Sequence, residues 1–229
     1  MAGNVVREVE DWIRPSHVLV SVSDKRELPV LINGLASIND SIRFLSTGGT
    51  HARIAEILGP QAAERQLLPV SQYTGQPETQ GGLVKTLDFK IYLGLLTETF
   101  NPDHQQDLAR TGSVPIDMVV CNLYPFAETV ARPDVTVEQA RANIDIGGPC
   151  MVRAAAKNYL RVASVTDPDD YGALIAKMRA AGGRIDLATR FELAQKAFAH
   201  TAAYDAAIAG WLGERAAAEM HGCYDKKGA

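Results

Sequence analysis

HVLVSVSDK, residues 17–25, places a continuous apolar and β-branched run directly before a polar Ser-Asp-Lys end. A short run of this kind, apolar at successive positions, suits a strand buried on both faces of a parallel sheet. A helical pattern follows, with Leu28, Leu31 and Ile32 spaced for one buried face. The unit then recurs. SIRFLS (41–46) reads as a strand, Gly48-Gly49 as a turn and THARIAEIL (50–58) as a helix. IYLGLL (91–96), IDMVVCN (116–122) and VASV (162–165) are further strand candidates. After the last, Asp167 is placed to cap a helix with Pro168 in its first turn. Strands alternating with helices predict an α/β domain with a mainly parallel sheet, whose ligands bind beyond the carboxyl ends of the strands.

From about Asp186 the character changes to an alanine-rich helical pattern. The chain is therefore divided into an α/β domain, 1–183, and a helical extension, 184–229, packed on that domain or on a partner subunit. Hydrophobic residues make up 46% of the 229 and charged residues 22%, which suits a globular chain with a real core. The net charge of −4 offers no broad basic face for nucleic acid, so any anion site must be local. No apolar run approaches the ~20 residues of a membrane span, and no signal-peptide pattern opens the chain. Three scattered cysteines provide neither a disulfide framework nor a zinc site. These features predict a reduced, cytoplasmic protein with no membrane partner.

Three loops have the composition of an anion cradle. SVSDK (21–25) and STGGT (46–50) each follow a strand and offer hydroxyls, backbone N–H groups and, in the first, a lysine. Alone the first reads as helix capping by Ser23 or Asp24 and the second as a common Gly-Gly turn; the pair is what points to a cradle. GGLVKTLDF (81–89) adds Lys85 and Thr86 but does not match the nucleotide-hydrolase pattern G-x-x-x-x-G-K-[ST]. NLYPF (122–126) ends a buried strand with an amide and a phenol. In NIDIGGPCMVRAAAKN (143–158), Asp145 precedes a Gly-Gly pair and a helix that carries Arg153 and Lys157 on one face. That face reads either as solvated or, given Ala154 to Ala156, as packed near a pocket where Asp145 and Lys157 tune each other.

Together SVSDK, STGGT, TGQPETQGGLVKTL, CNLYPF, IDIGG, RAAAKN and LAQKAFAHTAAYDAAIA resemble, in order, the IMP cyclohydrolase domain of the bifunctional AICAR transformylase/IMP cyclohydrolase family, over roughly 16–212. The resemblance implies a methylglyoxal-synthase-like three-layer αβα fold, a homodimer, and no metal or organic cofactor. It implies dehydrative closure of 5-formamidoimidazole-4-carboxamide ribotide to inosine monophosphate. Carried over, Ser21, Ser23, Lys25, Thr47, Gly49, Thr50 and Thr86 would hold the 5′-phosphate. Asn122, Tyr124, Asp145, Ile146, Gly147 and Lys157 would surround the heterocycle, with Lys85 by the formamide. Lys85 and Tyr124 would stabilise the oxyanion, and Asp145 and Lys157 would handle protons.

The chain departs from the family pattern at Leu83, where an arginine is expected, at Asp88-Phe89, in place of His-Pro, and at Tyr92, in place of a histidine. Lys90 and Arg153 are the candidate substitutes for the arginine. The resemblance reads as a stand-alone cyclohydrolase supplied by a separate formyltransferase. A non-catalytic nucleotide-binding module of the same fold is the rival, and the joint presence of Lys85, Tyr124, Asp145 and Lys157 favours the enzyme. A methylglyoxal-synthase-like lyase leaves NLYPF and RAAAKN without a part.

Overall fold

A computed structural model describes residues 5–77 and 85–227. In chain order the first elements are β1 (Trp12–Ile13), β2 (His17–Val22), α1 (Leu28–Ile38), β3 (Arg43–Ser46), α2 (Gly48–Leu58), α3 (Pro60–Gln66) and β4 (Leu67–Pro69). Helices α4 (Val70–Thr74), α5 (Phe89–Leu96) and α6 (Pro102–Thr111) lead to β5 (Met118–Asn122). Next come α7 (Phe126–Val130), α8 (Val137–Ala142), α9 (Gly147–Lys157) and β6 (Ala163–Val165). The last elements are α10 (Tyr171–Ala180), β7 (Ile185–Asp186), α11 (Leu187–Gly213) and α12 (Ala217–His221).

Five strands form a parallel sheet in the order β4-β3-β2-β5-β6. Successive strands move outward from β2 to one edge, and the chain then returns to add β5 and β6 on the other side. The reversal between β2 and β5 is a topological switch point, which opens a crevice at the carboxyl ends of those two strands. Side chains alternate across the sheet. Val18, Val20, Met118 and Val120 join Leu31, Ile32 and Ile175 in one core, while Leu19, Val119 and Cys121 join Ile91, Leu95, Met151 and Val152 in the other. Both faces are covered by helices, giving a three-layer α/β fold. This double burial is why the β2 and β5 sequences are apolar at successive positions.

Two local expectations change, and one element is new. IYLGLL is not a strand but most of helix α5: the Asp88 side chain accepts from the Lys90 N–H, and Ile91 and Leu95 share a buried face. Gly94 lets that helix sit on the following loop, since a Cβ there would stand 2.5 Å from the Val114 carbonyl oxygen. Gly48 and Gly49 form the first turn of α2 and not a turn before it, with Gly48 at φ +51°. The edge strand β4 is an element that the sequence pattern did not announce. Leu83 and the glycines at 81 and 82 lie outside the described residues.

The alanine-rich region forms one 27-residue helix, α11, which packs on α9 and β6, with Ala194 and Ala197 buried in the second core. Its start is fixed by the buried Arg190, which donates to the carbonyls of Glu10, Asp11, Tyr159, Leu160 and Ile185. The guanidinium fork thereby ties the N-terminal segment to the β6 side of the body. Among the described residues no helix is long and apolar enough to cross a membrane.

Candidate functional site

At the carboxyl ends of β2 and β5 lies a cavity of about 420 Å³. That is within the range of small-molecule sites. Every expected site residue but one lines it: Ser21, Ser23, Lys25, Thr47, Gly49, Thr50, Lys85, Thr86, Asn122, Tyr124, Asp145, Ile146 and Gly147. Gly48, Leu87, Ile144, Gly148 and Met151 join them.

The wall made by β2 is braced from both neighbours. Asn122, the last residue of β5, accepts the Ser23 and Asp24 backbone N–H groups at 2.7 and 2.8 Å and returns an N–H to the Asp24 carbonyl at 2.9 Å. This fills both acceptor positions of its amide and leaves one N–H for a ligand. The Thr50 hydroxyl donates to the Val22 carbonyl at 3.1 Å and accepts the Val22 N–H at 3.2 Å. Its one proton is spent, so toward an anion Thr50 offers its backbone N–H and not its hydroxyl.

The first turn of α2 is left open. Thr47 makes no side-chain cap, and the first helical bond runs from the His51 N–H to the Thr47 carbonyl. The N–H groups of Gly48, Gly49 and Thr50 therefore face the cavity without intrahelical partners. Lys85 brings its ammonium beside this turn, 3.4 Å from where a Cβ on Gly48 would stand. Lys25 adds a second positive group above its own loop, within 3.4 Å of the Val22 and Ser23 carbonyls. A helix N-terminus with two ammonium groups is an attractive field for a phosphate.

The opposite wall carries Asp145 and Tyr124. The Asp145 carboxylate accepts from the Gly148 N–H at 2.9 Å, and the Tyr124 backbone amide adds a favourable influence on its charged form. Burial nevertheless raises its proton affinity above the usual carboxylate range, and the two amides only partly offset this. Burial and the nearby Asp145 charge also raise the Tyr124 phenol, which keeps it a proton donor. Two glycines make room at this wall. A Cβ on Gly147 would stand 2.7 Å from the Thr86 hydroxyl, and one on Gly148 would stand 2.5 Å from the Asp145 carboxylate.

Lys157 is the exception. It is the exposed last residue of α9, whose first residue, Gly147, lines the cavity. Ten residues of helix separate the two by about 15 Å along the axis. Within one chain the structure does not bring Asp145 and Lys157 together in the cavity: α9 runs between them, and Ala154 to Ala156 pack inward while the cations face outward. Neither proposed substitute for the missing arginine reaches the cavity. Lys90 donates to the Tyr73 carbonyl at 3.4 Å, and Arg153 lies over the Phe198 ring at 5.5 Å.

Sequence reasoning missed Tyr204. From α11 its hydroxyl accepts the Asp145 N–H at 2.8 Å and donates to the Asn143 carbonyl at 3.3 Å. The signal was present only as a lone tyrosine within an alanine-rich helix.

Comparison with known proteins agrees with this architecture. Residues 30–150 match the MGS-like domain family, and residues 155–228 match the family described as the AICARFT/IMPCHase bienzyme. Curated relatives include the bifunctional purine biosynthesis protein PurH of Synechococcus sp. (strain CC9605), 49% identical over 90% of this chain and 38% of that protein. The PurH of Magnetococcus marinus is 50% identical over 85% of this chain and 35% of that protein. The chain thus spans little more than a third of the length of these relatives. A solved structure titled "Crystal structure of ForH" superposes with a TM-score of 0.70 at 31% identity, covering 85% of this chain and 97% of that one.

Proposed function

The chain belongs to the MGS-like domain family, and from that premise we propose that it is an IMP cyclohydrolase, closing 5-formamidoimidazole-4-carboxamide ribotide to inosine monophosphate with loss of water. PurH relatives support a role in purine biosynthesis. The observation that carries the finer reading is one cavity uniting an open helix N-terminus and two lysines with Asp145 and Tyr124 on the facing wall. A nucleotide would place its phosphate on the α2 turn, within reach of Lys25, Ser23 and Thr86, and its base toward Asp145, Ile146 and Tyr124.

The reaction is intramolecular, so holding the two arms of the heterocycle together supplies much of the rate. The carboxamide nitrogen attacks the formyl carbon; a C–N bond forms, and the carbonyl oxygen gains electron density. The Tyr124 hydroxyl stabilises that oxygen and delivers its proton, while Lys85, whose ammonium stands beside the α2 turn, faces the phosphate. Asp145 accepts the proton lost by the attacking nitrogen. The hydroxyl then leaves as water while the neighbouring ring nitrogen loses its proton and a C=N bond forms. Lys157 has no part in this scheme within one protomer.

Spectrophotometric ring closure by the purified chain tests the proposal. Formation of inosine monophosphate well above the uncatalysed rate is the expected result. Nucleotide binding without turnover would replace it with the binding-module reading. We also propose a homodimer, supported by the exposed rings of Phe191 and Phe198 on α11; sedimentation showing only monomer at micromolar concentration would remove that.

A further inference from the structure

We propose that Tyr204, on the alanine-rich helix α11, is a positioning residue for Asp145. This deepens the cyclohydrolase reading in its kinetic consequence and stands on separate geometry in its structural one. The turn from Asn143 to Ile146 enters α9 without a side-chain cap from its Ncap residue, Ile146. What fixes Asp145 is a pair of bonds from two directions. The Gly148 N–H holds its carboxylate, and Tyr204 holds its main chain.

The Tyr204 hydroxyl uses its proton on the Asn143 carbonyl and one lone pair on the Asp145 N–H, so it spans the turn two residues apart. Its ring is fixed as well, edge-on to Phe126 with centroids 6.3 Å apart. Phe126 in turn meets Trp211 of α11 edge-on at 6.3 Å. The clamp therefore sits on two aromatic contacts between α7 and α11, and its reach into the site comes from 59 residues further along the chain. Packing alone would need the ring. The hydroxyl is needed only for the turn.

Tyr204→Phe keeps the ring and removes the clamp. Because a small misplacement of a reacting group can cost up to ~10²-fold in rate, kcat for ring closure should fall about tenfold or more. KM should stay within about twofold, because the phosphate-binding turn of α2 is untouched. Exchange of the Asp145 amide, followed by NMR, should quicken about tenfold, the equivalent of one lost hydrogen bond. Thr201→Val is the control: among the described residues this buried hydroxyl bonds the Phe198 carbonyl within α11 alone, so its loss perturbs the helix but not the turn. It should change neither readout.

Wild-type kcat in Tyr204→Phe, or unchanged exchange at the Asp145 amide, would overturn the inference. So would equal losses in both variants, which would mark general destabilisation. If the wild-type chain closes no ring, the proposed function falls instead, and amide exchange alone decides the clamp.

Discussion

The two ends of the parallel sheet treat their polar groups in opposite ways. At the amino end Asp117 accepts from the Ser16 N–H and hydroxyl, the His17 N–H and the guanidinium of Arg161, which also donates to the Gly94 and Thr97 carbonyls. That network is closed, with the Arg161 side chain only 8% exposed. At the carboxyl end the α2 turn lacks a side-chain cap, and Lys85 has no ion-pair partner among the described residues. Asp145 is half-buried with no ion-pair partner among the described residues. Buried polar groups that satisfy one another fix a fold, whereas groups left short of partners are available to a ligand.

The largest effect should come from the open end. Asp145→Asn keeps an acceptor for the Gly148 N–H but removes the base, and kcat should drop about 10²–10⁴-fold. The wild-type profile gives a second check. Asp145 must be ionised to take a proton, and burial raises its pKa, so kcat/KM should fall with decreasing pH from above the ordinary carboxylate range. Any residual activity of the asparagine variant should lack that limb. A variant with wild-type kcat would show that the carboxylate is not the base.

The closed end should answer in stability. Arg161→Leu leaves the largely buried Asp117 without its cation, which costs up to about 3–5 kcal/mol. Urea unfolding should show that loss, while protein still folded at low temperature keeps its turnover. Loss of activity without loss of stability would erase the distinction between the two ends.

How much of this was legible depends on whether the cause is local. The β2 and β5 runs announce a doubly covered sheet because each residue's burial is written in its own side chain. IYLGLL misleads because six apolar residues fit a buried helix as well as a strand, and the deciding cap, Asp88, lies outside the run. Leu67–Pro69 is too short and too proline-marked to read as a strand. In the site, the glycines and hydroxyls of the loops were visible as a cradle. That Asn122 and Thr50 spend their side chains bracing β2 was not, because those bonds join segments 99 and 28 residues apart.

A milder test probes the fit between the two walls. Gly147→Ala puts a methyl carbon 2.7 Å from the Thr86 hydroxyl, which must then move. If Thr86 holds phosphate, KM should rise about tenfold, as for one displaced hydrogen bond, with kcat nearly unchanged. A fall in kcat alone would transfer Thr86 from binding to chemistry.

The smallest expected effect is the most direct test of the redrawn site. The family resemblance implied that Lys157 joins Asp145; the helix between them places it on the solvent side of α9, at the end remote from the cavity. Charge at such distance across solvent is screened within about a Debye length, roughly 8–10 Å, so the ammonium has little influence on the proton held by Asp145. Lys157→Ala should therefore change kcat and KM by less than about twofold, with stability altered only by surface-substitution amounts, within about 0.5 kcal/mol. A large loss of kcat at undiminished stability would mean that Lys157 acts on a site outside its own protomer's cavity. Repeating the assay across protein concentrations that shift any monomer–dimer balance would then show whether the defect follows assembly.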